Sequence, residues 1–244
     1  MFLVWGALMV ASAKSLFRAM RATAQPVVAG DPLFGELPDH KVPVKDALRR
    51  ADDFYPTGQP EAIRALLAHD GTRIAECGAV WEPACGDGAL VRPIRQAGLP
   101  CVASDLVDRG CKDSSVADFF ATTVSPARAI ITNPPFCLIN ARDGKGAWLR
   151  HTLELPGWEY LALLLSADWP FARINGLGDL LDQHPFSWVY YMRWKLDFTG
   201  EGSPPQRNCW YVWDRRDVRG HGPGMAQPSV RFMDRSDGRQ GVLI

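Results

Sequence analysis

Residues 160–167, YLALLLSA, run through eight positions without a charge, a glycine or a proline. A strand with one wet face would alternate apolar and polar side chains. A continuous run of this length is what a strand covered on both faces requires, and parallel sheets are covered in that way. ARAIITN at 127–133 reads similarly, and the shorter GAVWEPA (78–84) and CVASD (101–105) precede it. Between these runs lie helical patterns. PEAIRALLAH (60–69) sets Ile63, Leu66 and Leu67 on one face, and CGDGALVRPIRQAG (85–98) is a glycine turn feeding a helix. Two β-rich runs come late, WVYYMRWKLDF (188–198) and NCWYVWD (208–214). Only a loop separates them, so they predict an antiparallel pair. The pattern as a whole predicts an α/β fold: a Rossmann-like, doubly wound, mostly parallel sheet with a late antiparallel hairpin.

The chain has 244 residues, enough for one sizeable core. Lys+Arg and Asp+Glu are both 27, which speaks against a basic nucleic-acid coat but leaves room for a local basic groove. The texture divides the chain into an N-terminal arm (1–50), the α/β domain (51–213) and a Gly-, Arg- and Asp-rich tail (214–244) expected to pack loosely. Cys77, Cys85, Cys101, Cys111, Cys137 and Cys209 form no C-x-x-C pair and have no His cluster beside them. A metal site is not expected, and the thiols read as reduced, cytoplasmic side chains. The apolar FLVWGALMVASA (2–13) has no Lys or Arg before it and is too short to span a bilayer. It reads as a packed or frayed helix, or an over-extended start, and no membrane association is expected.

In doubly wound sheets, ligands bind outside the carboxyl ends of the strands near the point where strand order reverses. Three stretches fall there: Glu82 to Gly88, Asp105, and Asn133 to Phe136. Gly86 and Gly88 permit positive φ and close backbone approach, and the helix that follows offers free N–H groups. A tight turn alone would use the same residues. Asp105 ends the next strand and is placed to accept from two ribose hydroxyls, while Asp118 in VADFF is placed to accept from an exocyclic amine. Taken singly, either acid also reads as a helix cap.

ITNPPF (131–136) ends a strand with two prolines and an aromatic. Pro134 holds Asn133 extended and has no N–H, so the backbone there is stiff and its carbonyls are expected to be uncommitted. Two fixed acceptors, the Asn133 side chain and the Pro134 carbonyl, suit a substrate that presents an NH₂ group, and Phe136 offers a face for a planar ring. A Pro-terminated strand under an aromatic lid is the plainer alternative.

EPACGDG, SDL, DFF and NPPF, in that order, resemble the motifs of S-adenosylmethionine-dependent adenine-N6 DNA methyltransferases of the small phage and bacterial type. DFYPTGQPEAIRALL resembles that family's upstream cofactor motif, and LDFTGEGSPPQRNCWYVW the end of members that lack a separate target-recognition domain. The likeness covers residues 51–213 and implies a class I methyltransferase fold, S-adenosylmethionine as cofactor, DNA as partner, and a bacterial or phage-infected cytoplasm. Tyr55, Pro56 and Thr57 would border the methionine end of the cofactor, above Glu82, Pro83, Cys85, Gly86 and Gly88. Asp105, beside Leu106, would hold the ribose. Asp118 would hold the adenine amine, with Phe119 beside the ring. Asn133, Pro134, Pro135 and Phe136 would be catalytic, gripping the target base. Gly58 departs from the family's usual proline, and Phe136 from its commoner tyrosine. Phe198 is a candidate second stacking face, and Arg142, Lys145, Arg173 and Arg207 are candidate nucleic-acid contacts. The same chemistry on an RNA base or a protein glutamine amide, or a silent cofactor- or nucleic-acid-binding protein, are the alternatives. Oligomeric state and recognition sequence are not legible.

Overall fold

The computed structural model describes residues 56–140, 145–171, 174–198, 202, 206–217 and 228–239. Helix α1 (Glu61–Ala75) begins after Pro60, whose φ of −65° is preset for a first turn. It buries Ile63, Leu66, Leu67 and Ile74, the face that the spacing predicts. Strand β1 (Val80–Glu82), helix α2 (Val91–Gln96) and strand β2 (Cys101–Asp105) follow. Then come β3 (Ser114–Val116), a 3₁₀ turn (Phe119–Ala121), β4 (Ala129–Thr132) and the one-turn helix α3 (Phe136–Ile139). After α4 (Ala147–Glu154) and β5 (Tyr160–Ser166), a 3₁₀ turn (Trp169–Phe171) leads to α5 (Leu177–Gln183). Strands β6 (Trp188–Met192), β7 (Asn208–Asp214) and β8 (Ser229–Met233) complete the sheet.

The strand order is β3-β2-β1-β4-β5-β7-β6-β8. Strands β1 to β5 pair in parallel with one another. β7 runs antiparallel to both β5 and β6, which is the expected late hairpin. The order reverses between β1 and β4, so their carboxyl ends flank the crevice where Glu82 and Asn133 emerge.

β5 shows why its sequence lacks alternation. Tyr160, Ala162 and Leu164 pack in the layer that holds α1 and α2, while Leu161, Leu163 and Leu165 pack in the layer that holds α4 and α5. Both faces are dry, so every position is apolar. Asp70 of α1 is buried between helix and sheet. It is held by the Tyr160 and Tyr190 hydroxyls (2.8 and 2.6 Å) and the Trp188 indole N–H (3.2 Å). Such a satisfied buried carboxylate fixes the seating of α1 on β5 and β6.

Two strands add to the expected set. β3 supplies the strand end before Asp118, and β8 lies in the tail. The expectation of a loose tail is corrected for residues 229–239. β8 runs parallel beside β6, with Met233 fully buried. Its charges meet partners: Arg235 with Glu61 (2.9 Å), Asp237 with His69 (3.0 Å), Asp234 with Arg193 (3.0 Å). Gly238 closes against α1, where a Cβ would come within 2.5 Å of the Glu61 carbonyl oxygen.

Among the described residues no helix is long and apolar enough to cross a membrane, and no group of three or more His, Cys, Asp or Glu is placed to hold a metal ion.

Candidate functional site

The glycine turn after β1 is stitched to the end of β2. The Cys85 N–H donates to the Ser104 carbonyl (3.0 Å), the Gly86 N–H to Asp105 Oδ2 (2.8 Å), and the Trp81 indole to the Ser104 hydroxyl (3.0 Å). Gly86 and Gly88 take φ of 54° and 84°, a region that costs other residues free energy. At Gly88 a Cβ would also stand 2.9 Å from Cys111 Sγ, so this glycine is required by packing as well as by conformation.

Asp105 accepts from Gly86 N–H through one oxygen and from Val107 N–H through the other (3.1 Å). Each carboxylate oxygen has two lone pairs, so the side chain is oriented yet keeps acceptor capacity. Asp118 caps the turn beginning at Phe119, accepting from the Phe120 N–H (2.9 Å). The helix-cap and ligand readings of this acid are compatible, because it also lines the cavity described below.

Glu82 is 1% exposed and accepts from the Ala84 N–H (3.1 Å). Burial pushes its carboxyl up to about 8; the Thr132 hydroxyl and the Ala84 N–H pull it back, and the nearby Asp105 charge adds to the rise.

Asn133 follows β4, and its Nδ2 donates to the buried Thr57 hydroxyl (3.3 Å). The upstream loop thus orients the amide of the strand-end motif. Pro134 is buried, and among the described residues no backbone N–H donates to its carbonyl. Pro135 differs from the expectation of uncommitted carbonyls. Its oxygen accepts from the Leu138 and Ile139 N–H groups (3.0 and 3.2 Å), because Pro135 is the N-cap of α3. α3 in turn presents Phe136, whose ring meets Phe198 edge-on, 6.5 Å between centroids at 86°.

A cavity of about 400 Å³ joins these parts. Pro56, Thr57, Glu82, Pro83, Cys85, Gly86, Asp105, Leu106, Asp118, Phe119, Asn133, Pro134, Pro135 and Phe136 all line it. Gly88 does not line it; it packs on Cys111 below the turn. Nor do Phe198, Lys145 and Arg207, the first half-buried beside Phe136 and the other two exposed. Tyr55, Arg142 and Arg173 lie outside the described residues. Phe119 is a wall rather than a free face: it is 7% exposed and stacks on Trp148 at 4.2 Å and 12°. Its neighbour Phe120, 41% exposed, lines the same cavity.

Sequence reading passed over Asp87, Val107, Arg109, Phe120, Cys137 and Trp148, which also line it. Most of these adjoin a motif and were legible as its neighbours. Trp148 sits on α4, far from any motif, and nothing local marks it. The charged lining comprises Asp87, Asp105 and Asp118 against Arg109, with Glu82 beside them held toward its neutral form, so the cavity favours a ligand that carries positive charge.

No family model and no curated protein sequence matches this chain. Solved structures do. A chain of the DrdV–DNA complex aligns with TM-score 0.50 at 10% identity, over 76% of this chain and 29% of that one. A putative class I S-adenosylmethionine-dependent methyltransferase from Listeria monocytogenes aligns with TM-score 0.49 at 13% identity, over 72% of this chain and 65% of that one. A modification subunit of a putative type I restriction enzyme from Vibrio vulnificus aligns with TM-score 0.47 at 12% identity, over 91% and 50%. This chain therefore spans less than two thirds of the length of each. At such identities the likeness concerns the fold. The fold is a doubly wound, mostly parallel α/β sheet.

Proposed function

We propose that this protein transfers a methyl group from S-adenosylmethionine to the exocyclic N6 amine of adenine in DNA. The observation that carries the reading is that the acid Asp105 and the Asn133–Phe136 corner open on one cavity. A nucleoside-binding carboxylate and a pair of amine acceptors then serve one reaction rather than two unrelated sites.

The residues fit the cofactor on three counts. The cavity, about 400 Å³, falls in the range of small-molecule sites. Asp105 keeps acceptor capacity on both oxygens for vicinal hydroxyls, and four acids surround a space suited to a sulfonium and an ammonium. Asp118, with Leu106 and Phe120 beside it, offers an acceptor at the edge of an apolar slot for the adenine. When bound, S-adenosylmethionine supplies an electrophilic methyl carbon whose bonding pair leaves with sulfur.

The target amine is a poor nucleophile because its lone pair is delocalised into the ring. The Asn133 side-chain carbonyl and the Pro134 carbonyl each accept one of its N–H bonds. That draws the nitrogen toward tetrahedral geometry and frees the lone pair for the methyl carbon. Acceptors held in place before the reaction stabilise the transition state without reorganising. The new N–C bond leaves the nitrogen cationic until its extra proton is lost to water, since Asn133 is neutral and cannot act as a base. Phe136 stacks on the extruded base. Extrusion costs a few kcal/mol, which stacking and edge contacts in the pocket offset.

The test is incubation of the purified protein with S-adenosylmethionine and duplex DNA, followed by nucleoside mass spectrometry. N6-methyladenine is expected. Its absence, alongside methylated RNA or protein under the same conditions, would retire the DNA assignment.

A further inference from the structure

The loop after β5 holds a phenyl ring in solvent for which neither the fold nor the reaction above has a use. Phe171 is 76% exposed, and Ile174, beyond it on the same loop, is 48% exposed. Single exposed apolar residues are common on surfaces. This one differs in how firmly its stem is held and in where it stands.

The Tyr211 hydroxyl bonds to the carbonyls of both Ser166 and Ala167 (3.2 and 3.1 Å), and the Ala167 N–H donates to the Arg207 carbonyl (2.9 Å). Trp169 is buried, edge-on to Tyr211 at 5.2 Å, and its indole N–H reaches the Ile139 carbonyl at 3.4 Å. Ile139 is the last residue of α3, the turn that begins with Phe136. On the far side, Arg150 ties the loop to its neighbour by bonding to the carbonyls of Asn175 (3.0 Å) and Lys145 (3.1 Å).

The position follows from register. Thr132, just before Asn133, pairs with Leu163, and β5 runs on to Ser166. Asn133 is therefore level with Leu164, and two further residues at about 3.3 Å each carry the end of β5 roughly 7 Å above Asn133. The loop stands over β5, on the side of the crevice opposite the glycine turn and Asp105. Lys145 and Arg207, whose side chains are exposed, lie on segments tied to this loop through their backbone carbonyls, and such basic residues can contact backbone phosphates.

We propose that Phe171 is an apolar wedge that enters the gap left in duplex DNA when the target adenine moves into the cavity. The inference rests on DNA being the substrate. Phe171 is a positioning residue: it touches the bases that flank the gap and not the reacting atoms. Apolar side chains inserted at a base step compensate part of the unstacking. A single strand presents no such gap, so the wedge matters only on a duplex.

The experiment compares methyl transfer by the wild-type protein, Phe171→Ala and Phe171→Leu on a duplex and on its target strand alone. Cofactor binding by each variant is measured as a check of folding. For Phe171→Ala, duplex kcat/KM is expected to fall about tenfold or more, corresponding to at least ~1.4 kcal/mol. Single-strand kcat/KM should stay within about twofold, and Leu should recover most of the loss. An equal fall on both substrates, no change on either, or a Leu variant as poor as Ala would overturn the wedge while leaving the methyltransferase reading intact. If the wild-type protein methylates neither form of DNA, the substrate assignment fails and the wedge with it. Capture of a protein partner through Phe171 with duplex rates unchanged would likewise overturn it.

Discussion

Glu82→Gln is nearly isosteric, and it tests the electrostatics of the cavity without emptying it. The Gln carbonyl can still accept from the Ala84 N–H, and its NH₂ can face Thr132, so packing is preserved. In the native protein the carboxyl is held up to about 8 against an ordinary 4.5. Because the folded value lies above the unfolded one, Glu82 favours folding fully below pH 4.5, and that contribution is lost as pH rises toward 8. At pH 7 the unfolded chain has given up this proton and the folded protein largely has not. The pH difference of 2.5 then corresponds to about 3 kcal/mol of lost stability at ~1.36 kcal/mol per unit. Gln carries no such dependence. Every other titrating group is common to both proteins, so the difference between their profiles isolates position 82. Denaturant unfolding from pH 4.5 to 8 should show Glu82→Gln gaining about 3 kcal/mol on wild type by pH 7, or very roughly 6–12 °C in Tm for a protein of this size. Parallel profiles would refute the account of Glu82 as a buried, protonated acid. A cationic cofactor should reverse the sign of the comparison by favouring the carboxylate. S-adenosylmethionine binding by wild type is then expected to release protons between pH 5 and 8, seen as a buffer-dependent heat in calorimetry, and the Gln variant should show less.

Three further substitutions separate the parts of the site. Asn133→Ala should abolish transfer, at least about a hundredfold in kcat as for loss of an oxyanion-type partner, while calorimetry finds cofactor affinity nearly unchanged. Asp105→Ala should act in the opposite order. Loss of two charge-assisted acceptors at about 1.5–3 kcal/mol each predicts a cofactor Kd raised about a hundredfold or more, and equal effects of the two variants on affinity would contradict the assigned roles. Gly88→Ala forces a side chain into positive φ and onto Cys111 Sγ, so thermal denaturation should find it destabilised by about 1–3 kcal/mol. Adding Cys111→Ala should relieve the steric share but not the conformational one.

The parts legible in sequence were those with a local cause. β5 lacks alternation because both faces are buried, and that pattern needs no knowledge of what covers it. The breakers after Glu82, Asp105 and Thr132 marked strand ends, and the doubly wound topology then placed those ends on one rim. The late hairpin was legible because a single loop joins two β-rich runs. The tail was not. SVRFMDRSDG is polar, and the burial of Met233 and the pairing of Arg235 and Asp237 depend on α1, about 170 residues earlier. Phe119 and Phe120 pose the same difficulty on a smaller scale. The dipeptide does not reveal which ring stacks on Trp148 as a buried wall of the cavity and which stays exposed in it.

The amino-acid sequence alone determined the run of buried parallel strands with its first helices and late hairpin, the strand-end positions of Glu82, Asp105 and Asn133, and the glycines at the turn. Each is a property of short-range sterics and of which side chains tolerate water. Tertiary structure alone decided that Thr57 orients the Asn133 amide, that Glu82 sits where burial raises its carboxyl to about 8, and that the loop bearing exposed Phe171 is tied through Trp169 to the end of α3. Those depend on distances between residues far apart in the chain, set by strand register and by the packing of the two helical layers, which no local pattern encodes.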